Sequence, residues 1–451
     1  MGGALLKIYI VSWHTDCICQ FHPNLAASKK GSVRQMSKKS KPTTTLLLAR
    51  ALPFVALAAP LFGCTDLAGD GVAEDAQELY NNSDNGLATM NGLSTMNGLS
   101  TTNGLAVMNG LSTTNGLMTN ASSRAMVKYL AKCALTSGSQ LVKGDQYGTL
   151  FTFTGTLGLG PAWLNGSCDA NCQQRVSSCL IAMANRDGKH VAIELVSAAS
   201  SLTTIGSTGD DVTYPNQEGA VFGNLFPSPP QMYTCDGTEA GKAEQVKRHC
   251  IAGTAGCNLF TKTAPCATAC TQTCTTGPGG KKVCSASSCK SPNGTTWAAP
   301  ITIFLRNKIE AGNFDATGGS AFGANGVMPM TVTGGTVAIT GVDDEDWIQT
   351  NDVQFGAAGS AKTFSVTMAT LNAGNVIEAR LDSLTGPTLA TVTTASTGSM
   401  GVEKTFTAPL ASAGVSGKHS VFVRFNGAAN RASGLNGGGK VFGNISFLEI
   451  K

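Results

Sequence analysis

The side chains in this 451-residue chain whose types could support chemistry are its cysteines, its few histidines and a scatter of carboxylates. Of its 15 cysteines, Cys17, Cys19 and Cys64 lie toward the N-terminus. The rest are Cys133, Cys168, Cys172, Cys179, Cys235, Cys250, Cys257, Cys266, Cys270, Cys274, Cys284 and Cys289. An even, dense set confined to one segment reads as a disulfide framework whose pairing the sequence leaves open. Cys266-x3-Cys270-x3-Cys274 could hold zinc, but zinc sites use tighter spacings in partnered pairs, so disulfides are the expectation here too. His190 follows a Gly-Lys turn and His249 stands beside Cys250 in a basic run; both read as solvated or structural. With His419 they are the histidines beyond Cys64, and no Gly-x-Ser-x-Gly elbow accompanies them. Asp187, Glu194, Asp210, Asp211, Glu218, Glu239 and Glu244 could furnish the paired carboxylates of a glycosidase, without any diagnostic spacing. No phosphate-binding or dinucleotide glycine motif opens a βα unit.

The elements that would position these residues divide the chain. Residues 121–300 read as a disulfide-rich α+β domain. Ser122 or Ser123 can cap a helix with Met126, Val127, Leu130 and Cys133 inward and Gly138 as its terminator. Asp169–Ala184 reads as a second helix, with Cys172, Cys179 and Met183 on one face near Cys168. Leu150–Thr154 and Val191–Leu195 alternate as strands. Beyond Tyr233 the chain turns Cys-, Thr- and Gly-rich, so order there should come from disulfides. Before this domain, Asn-Gly-Leu recurs every six residues at Asn85, Asn91, Asn97, Asn103, Asn109 and Asn115. One leucine per repeat buries little surface, so residues 64–120 read as a stalk; a short hexapeptide solenoid is the alternative. In residues 306–451 short alternating segments (Phe364-Val366-Met368, Ile377-Ala379-Leu381, Val421-Val423-Phe425) lie between turn residues. That pattern predicts an all-β sandwich or jelly roll.

The formal charge of +4 misleads. Of 32 basic and 28 acidic residues, eight and one lie in the first 63, leaving 24 against 27. Such a chain carries no electrostatic footprint for nucleic acid. The N-terminal 63 residues read as a leader. Translation is expected from Met36, with Lys38, Lys39 and Lys41 as a positive region and Ala51–Gly63 as an apolar run too short to span a bilayer well. Leu61-Phe62-Gly63-Cys64 resembles the lipobox of bacterial lipoproteins, which implies that Cys64 becomes a lipidated N-terminus. Thr65 resembles the outer-membrane sorting pattern.

Ile309-Glu310-Ala311-Gly312-Asn313-Phe314-Asp315, Gly341-Val342-Asp343-Asp344-Glu345-Asp346-Trp347-Ile348, Ile377-Glu378-Ala379-Arg380-Leu381-Asp382-Ser383 and Asn444-Ile445-Ser446-Phe447 succeed one another. That succession resembles the family 6 carbohydrate-binding modules, β-sandwiches appended to secreted polysaccharide-active proteins. The resemblance implies a sugar cleft in loops at one end, with Asn444 hydrogen-bonding the sugar. The family's two stacking aromatics fall on Gly341 and about Met400. Its calcium carboxylates fall on Glu310, Gly312 and Ser446, leaving Glu310 alone and no cofactor expected. Asp343–Asp346 is expected to shape a turn before a buried Trp347. A second family site lies on the concave sheet face, and Trp163 or Trp297 of the neighbouring domain could contribute to binding. Gly158–Trp163, Val176–Leu180 and Gln217–Asn224 resemble phrases of an exported bacterial family, a likeness that carries no function.

These readings converge on a multidomain surface lipoprotein: stalk, disulfide-rich domain, then sandwich. The expected function is non-catalytic polysaccharide binding, with the lipid anchor as the membrane contact. The alternatives are a structural surface protein with a degenerate sandwich, and a polysaccharide hydrolase with the Cys-rich domain catalytic.

Overall fold

The computed structural model describes residues 82–85, 87–88, 105, 117–185, 189, 191–197, 213–248, 260–276, 282–319, 327–332, 336–411, 414–426 and 442–451. The leader with Cys64, His190, His249, Cys250, Cys257, Asp187, Asp210 and Asp211 lie outside them.

The disulfide-rich domain begins earlier than its helices. Strands β1 (Asn82–Asn85) and β2 (Leu87–Ala88) precede helix α1 (Ala121–Ala134), hairpin β3 (Gln140–Gly144) and β4 (Leu150–Thr154), and helix α2 (Ala170–Met183). There follow β5 (Ala184–Asn185), β6 (Val191–Val196), β7 (Asn216–Asn224) and β8 (Gln231–Asp236). After short helix α3 (Lys242–Gln245) come β9 (Thr261–Lys262), α4 (Cys266–Ala269), hairpin β10 (Cys270–Thr276) and β11 (Lys282–Lys290), β12 (Thr296–Trp297) and β13 (Ile301–Leu305).

The central sheet has the order β1-β6-β13-β7-β8-β9. Its inner strands, Val-Ala-Ile-Glu-Leu-Val and Ile-Thr-Ile-Phe-Leu, are apolar runs buried at every position, as strands covered on both faces must be. One face packs on α1 and α2 through Val127, Leu130, Val176 and Leu180. The other is covered by the β10–β11 hairpin through Phe222, Cys235, Cys289 and Trp297. Ile301–Leu305 therefore belongs to this domain, which ends five residues later than its expected limit at residue 300. It pairs with both β6 and β7 at the centre of the sheet.

Helix α1 is capped by Asn120, whose side chain accepts the Ser123 N–H, rather than by Ser122 or Ser123. It ends at Leu135, with Gly138 three residues beyond at φ +83°. Asp169 caps α2 at the expected place. All ten candidate cysteines among the described residues form disulfides. Cys133–Cys179 ties α1 to α2, and Cys168–Cys172 spans the start of α2. Cys235–Cys266 anchors α4 to β8, and Cys270–Cys289 and Cys274–Cys284 join directly opposed positions of the β10–β11 hairpin.

Where the described residues reach the Asn-Gly-Leu repeat, it is not a free stalk. β1 pairs with β6 and β2 with β5, while Leu105, Leu117 and Met118 are buried in the helical core. Leu105 and Leu117, part of a set that looked too sparse to fold alone, are buried against an existing domain, which supplies the apolar surface the repeat lacks.

The second core lies between two antiparallel sheets. Their strands in chain order are β14 (Ile309–Glu310), β15 (Ala316–Gly318), β16 (Met328–Thr331), β17 (Val337–Thr340), β18 (Trp347–Gln354) and β19 (Thr363–Ala369). They continue with β20 (Val376–Leu381), β21 (Thr388–Thr393), β22 (Lys404–Pro409), β23 (Lys418–Asn426) and β24 (Asn444–Ile450). One sheet runs β16-β17-β24-β19-β22, with β14 also on β24; the other runs β15-β18-β23-β20-β21. Ile348, Val366, Met368, Ile377, Val423, Phe425 and Ile445 fill the space between them. This is the expected β-sandwich, in a multidomain, disulfide-bonded chain.

Only Arg306, Asn307 and Lys308 separate β13 from β14, and the two folds dock directly. Glu310 is 4% exposed, and its carboxylate accepts N–H groups of Ala192 (3.0 Å) and Val337 (3.0 Å). The buried Lys247 ammonium binds the Asp315 carboxylate at 2.6 Å and donates to the Asn351 carbonyl at 2.7 Å. Lys189 donates to the carbonyls of Asn313 and Phe314, and Lys418 pairs with Glu244 of α3. The contacts of Lys247, Lys189 and Lys418 gather toward the sandwich end where β18 finishes and β23 begins, while Glu310 sits midway along β24.

Candidate functional site

The opposite end of the sandwich holds the residues that the sequence singled out. Ile339 stands opposite Ile445, and the Phe442 N–H donates to the Val342 carbonyl, which sets Gly341 beside Gly443 and Asn444. Ala369 faces Asn444 across the ladder, and Thr397 clasps the next residue, Thr370, through backbone and side-chain hydrogen bonds of 2.7–3.0 Å. The turn carrying Met400 is thereby held at the same end as Asn444. The large apolar side chains exposed at this end are Leu371, Met400 and Val402, none of them aromatic. The fold thus gathers the positions of the expected cleft, with Gly341 and Met400 where rings would stack.

Glu310, the one carboxylate left at the family's calcium positions, is engaged within the protein: its oxygens accept the backbone N–H groups of Ala192 and Val337 and the Asn313 amide. Ser446 instead donates to Glu403. The Asp343–Asp346 cluster is a turn: the Asp346 carboxylate is buried and accepts the Asp343 N–H at 2.8 Å, and Glu345 takes a left-handed φ of +71°. Burial pushes both the Asp343 and Asp346 carboxyls up. Among the described residues, Cys235, Cys270 and Cys289 are the one metal-compatible group, but they belong to two neighbouring disulfides and present no thiolate.

Of the carboxylates weighed for hydrolysis, Glu218 is sealed against Arg248 at 2.5 Å with both side chains fully buried. Burial pushes its carboxyl up, against the opposing pull of Arg248. Glu194 is buried in β6 and Glu244 pairs with Lys418, so these three are separate structural groups. His419 stacks edge-on against Phe355 and contacts Asp382 and the Ser416 carbonyl. Trp163 and Trp297 are core residues of the disulfide-rich domain.

A different surface emerges on the outer face of the β15-β18-β23-β20-β21 sheet. Trp347 was expected to be buried; it is half-buried and absent from the inter-sheet core. Alternation along each strand sends Ile348, Val423 and Ile377 inward, which leaves Trp347, Phe422, Arg424, Glu378 and Arg380 outward. The ladder arranges them in rows: Trp347 opposite Arg424 opposite Glu378, then Gln349 opposite Phe422 opposite Arg380. The Trp347 and Phe422 rings lie 5.7 Å apart at 42°. Gly318, on the neighbouring strand, makes room for the indole, since a Cβ there would stand 2.8 Å from the ring. Glu378 accepts from Arg380 (2.7 Å) and Thr388 (2.9 Å). Burial pushes its carboxyl up, but those hydrogen bonds and the charges of Arg380 and Arg424 outweigh it and hold the group below the usual carboxylate range. Flat ring faces beside fixed amide, hydroxyl and charged groups are what a pyranose needs, C–H faces on rings and hydroxyls on polar groups. The signal was present in the sequence: Phe422 and Arg424 fall between the inward Val421, Val423 and Phe425.

Residues 320–436 match the carbohydrate-binding module (family 6). Over 105 residues the chain is 35% identical to an arabinoxylan arabinofuranohydrolase of Paenibacillus polymyxa, covering 23% of this chain and 16% of that one. The chain thus spans about a sixth of the length of the curated relative it matches. A family 6 carbohydrate-binding module from Clostridium cellulolyticum, solved in complex with xylose, is similar at 25% identity, covering 32% of this chain and 95% of its own, TM-score 0.26. A β-1,3-glucan-binding module of the family from Bacillus halodurans is similar at 23% identity over 32% of this chain and 94% of its own, TM-score 0.26. A glycoside hydrolase family 43 arabinoxylan arabinofuranohydrolase from Bacillus subtilis shares 22% identity over 38% of this chain and 34% of its own, TM-score 0.26. In its motifs, its profile match and its two-sheet architecture, the C-terminal third of this chain resembles the family 6 carbohydrate-binding modules.

Proposed function

We propose that this protein is a surface lipoprotein that binds polysaccharide without cleaving it, through the outer face of its C-terminal sandwich. The observation that carries the reading is the Trp347–Phe422 pair on an otherwise polar sheet face, set among Gln349, Glu378 and Arg380. The disulfide-rich domain docks at the end of the sandwich away from Asn444 and from the start of β18, so Trp347 stands clear of the contacts that join the two folds. Cys64 would hold the chain on the outer membrane. Asn444 and the aliphatic loop end provide a second, weaker surface.

Affinity electrophoresis tests the reading on the chain from residue 65 onward, made without its anchor, against neutral xylan, β-1,3-glucan and mixed-linkage glucan. Retardation by at least one polymer is expected, and Trp347→Ala should weaken it by about tenfold or more, since stacking on one ring contributes on the order of 1 kcal/mol beyond burial, to which lost area adds. Asn444→Ala should matter less. Equal retardation of parent and Trp347→Ala would move the site elsewhere, and no retardation by any glycan would favour the structural-scaffold alternative. For the anchor, Cys64→Ser should abolish incorporation of radiolabelled fatty acid into the full-length chain.

A further inference from the structure

On the outer sheet face, two guanidinium groups share one carboxylate. Arg380 is committed: it pairs with Glu378 at 2.7 Å and donates to the Gly386 carbonyl at 3.1 Å. Arg424 is not. It stands between Trp347 and Glu378 in the ladder, half-buried, and its charge acts on Glu378, but its side chain makes no hydrogen bond or ion pair to any described residue. Glu378, already bonded by Arg380 and Thr388, is the one carboxylate of that row, so the face holds an excess positive charge beside its aromatic pair. A half-buried guanidinium has lost part of its water shell, and only an acceptor, best an anionic one, restores that loss. Neighbouring strands lie about 4.8 Å apart, so a ring seated on Trp347 brings its substituents over the adjacent strand that carries Arg424.

We infer that the platform is built for acidic glycans, with Arg424 as the specificity-determining residue that pairs with a carboxylate or sulfate substituent of a sugar stacked on Trp347 and Phe422. The inference rests on the sheet-face reading above and goes beyond it by naming the substrate class. Arg424 serves because a guanidinium can grip such an anion with two parallel N–H donors. The neutral sugar faces are left to the rings, and Gln349 and Thr388 stand near enough in the ladder to meet hydroxyls.

The test is isothermal titration of the anchorless chain with two matched pairs of polymers. One pair is glucuronoxylan and the same polymer after carboxyl reduction; the other is a sulfated galactan and its desulfated form. In at least one pair the acidic member should bind about tenfold more tightly, the usual worth of a charge-assisted hydrogen bond, and that preference should shrink with added salt. The pair that responds identifies the anion as carboxylate or sulfate. Arg424→Gln should erase the preference and Arg424→Lys should restore part of it, with far-UV circular dichroism and melting temperature unchanged in both. Equal binding of acidic and neutral members overturns the inference and leaves the platform reading intact, as does a preference that survives Arg424→Gln. Should the parent bind neutral or acidic polymers with Trp347→Ala making no difference, the platform reading falls and the inference with it. Capture of a protein ligand at Arg424 in place of any glycan would overturn both.

Discussion

Single side chains set the character of both folds. Glu378 illustrates how a charge can be functional in position and structural in energy. Its folded-state carboxyl lies below the ordinary range, so it stabilises the fold above the ordinary carboxylate pKa and that contribution disappears as pH falls through the depressed value. Glu378→Gln should therefore flatten part of the loss of melting temperature on acidification, read by calorimetry from neutral pH downward. Asp346 works in the opposite direction: burial raises it, so its charge costs stability as pH rises from the ordinary carboxylate range through its raised value. Asp346→Asn keeps an acceptor for the Asp343 N–H and should be neutral or stabilising at neutral pH, whereas Asp346→Ala should cost about 1–2 kcal/mol in chemical denaturation. The buried Glu218–Arg248 pair is more severe. Arg248 also holds the carbonyls of Ala182 and Ala184, so Arg248→Met alone should cost about 3–5 kcal/mol by stranding Glu218, and pairing it with Glu218→Leu should recover much of that.

At the scale of elements, disulfides and strand alternation do different work. The helical layer is closed by Cys133–Cys179, which spans 46 residues; replacing both by Ala should lower stability by about 2–4 kcal/mol, measured as a shift in denaturation midpoint. The β10–β11 hairpin has little apolar surface of its own, and its paired disulfides hold it over Phe222 and Tyr233 of the central sheet. In the sandwich no cysteine is needed, because alternating strands bury Ile348, Val366, Val423 and Phe425 between two sheets. The same alternation that builds this core also builds the platform, since every inward Val or Ile fixes its neighbour outward. Gly318 is the clearest case of an element shaped for one side chain: Gly318→Val should displace the Trp347 ring, quench or shift its fluorescence and weaken glycan binding.

Across the whole molecule, two cores are joined by a polar seam. The described residues of the two folds cluster as one compact unit although their apolar cores are distinct. Glu310, Lys247, Asp315 and the Lys418–Glu244 pair carry the join, each bonded across the boundary between the folds. Glu310→Ala removes the acceptor of two buried N–H groups at once and should cost roughly 2–4 kcal/mol. It should also separate calorimetric unfolding into two transitions where the parent shows one. Such a seam would hold the sheet face in a fixed attitude relative to the disulfide-rich domain. Among the described residues no helix is long and apolar enough to cross a membrane.

The sequence by itself determined the sandwich, the helix that begins at Asp169 and the disulfide character of the cysteines among the described residues. Those features rest on short-range signals: alternation, capping residues and motif order are written in neighbouring positions. Only the tertiary structure decided the rest. Trp347 was expected to be buried because the family motif it resembles carries a buried Trp there, yet its side of the strand faces outward and its ring lies across Gly318 of another strand. Glu310 looked like a remnant of a metal site, and became a joint because Ala192, 118 positions away, meets it. Leu105 and Leu117 looked too sparse to fold, and are buried because α1 and the central sheet offer them a core. In each case the deciding partner is remote in sequence, and such contacts form only when the whole chain closes, leaving no local pattern from which to read them.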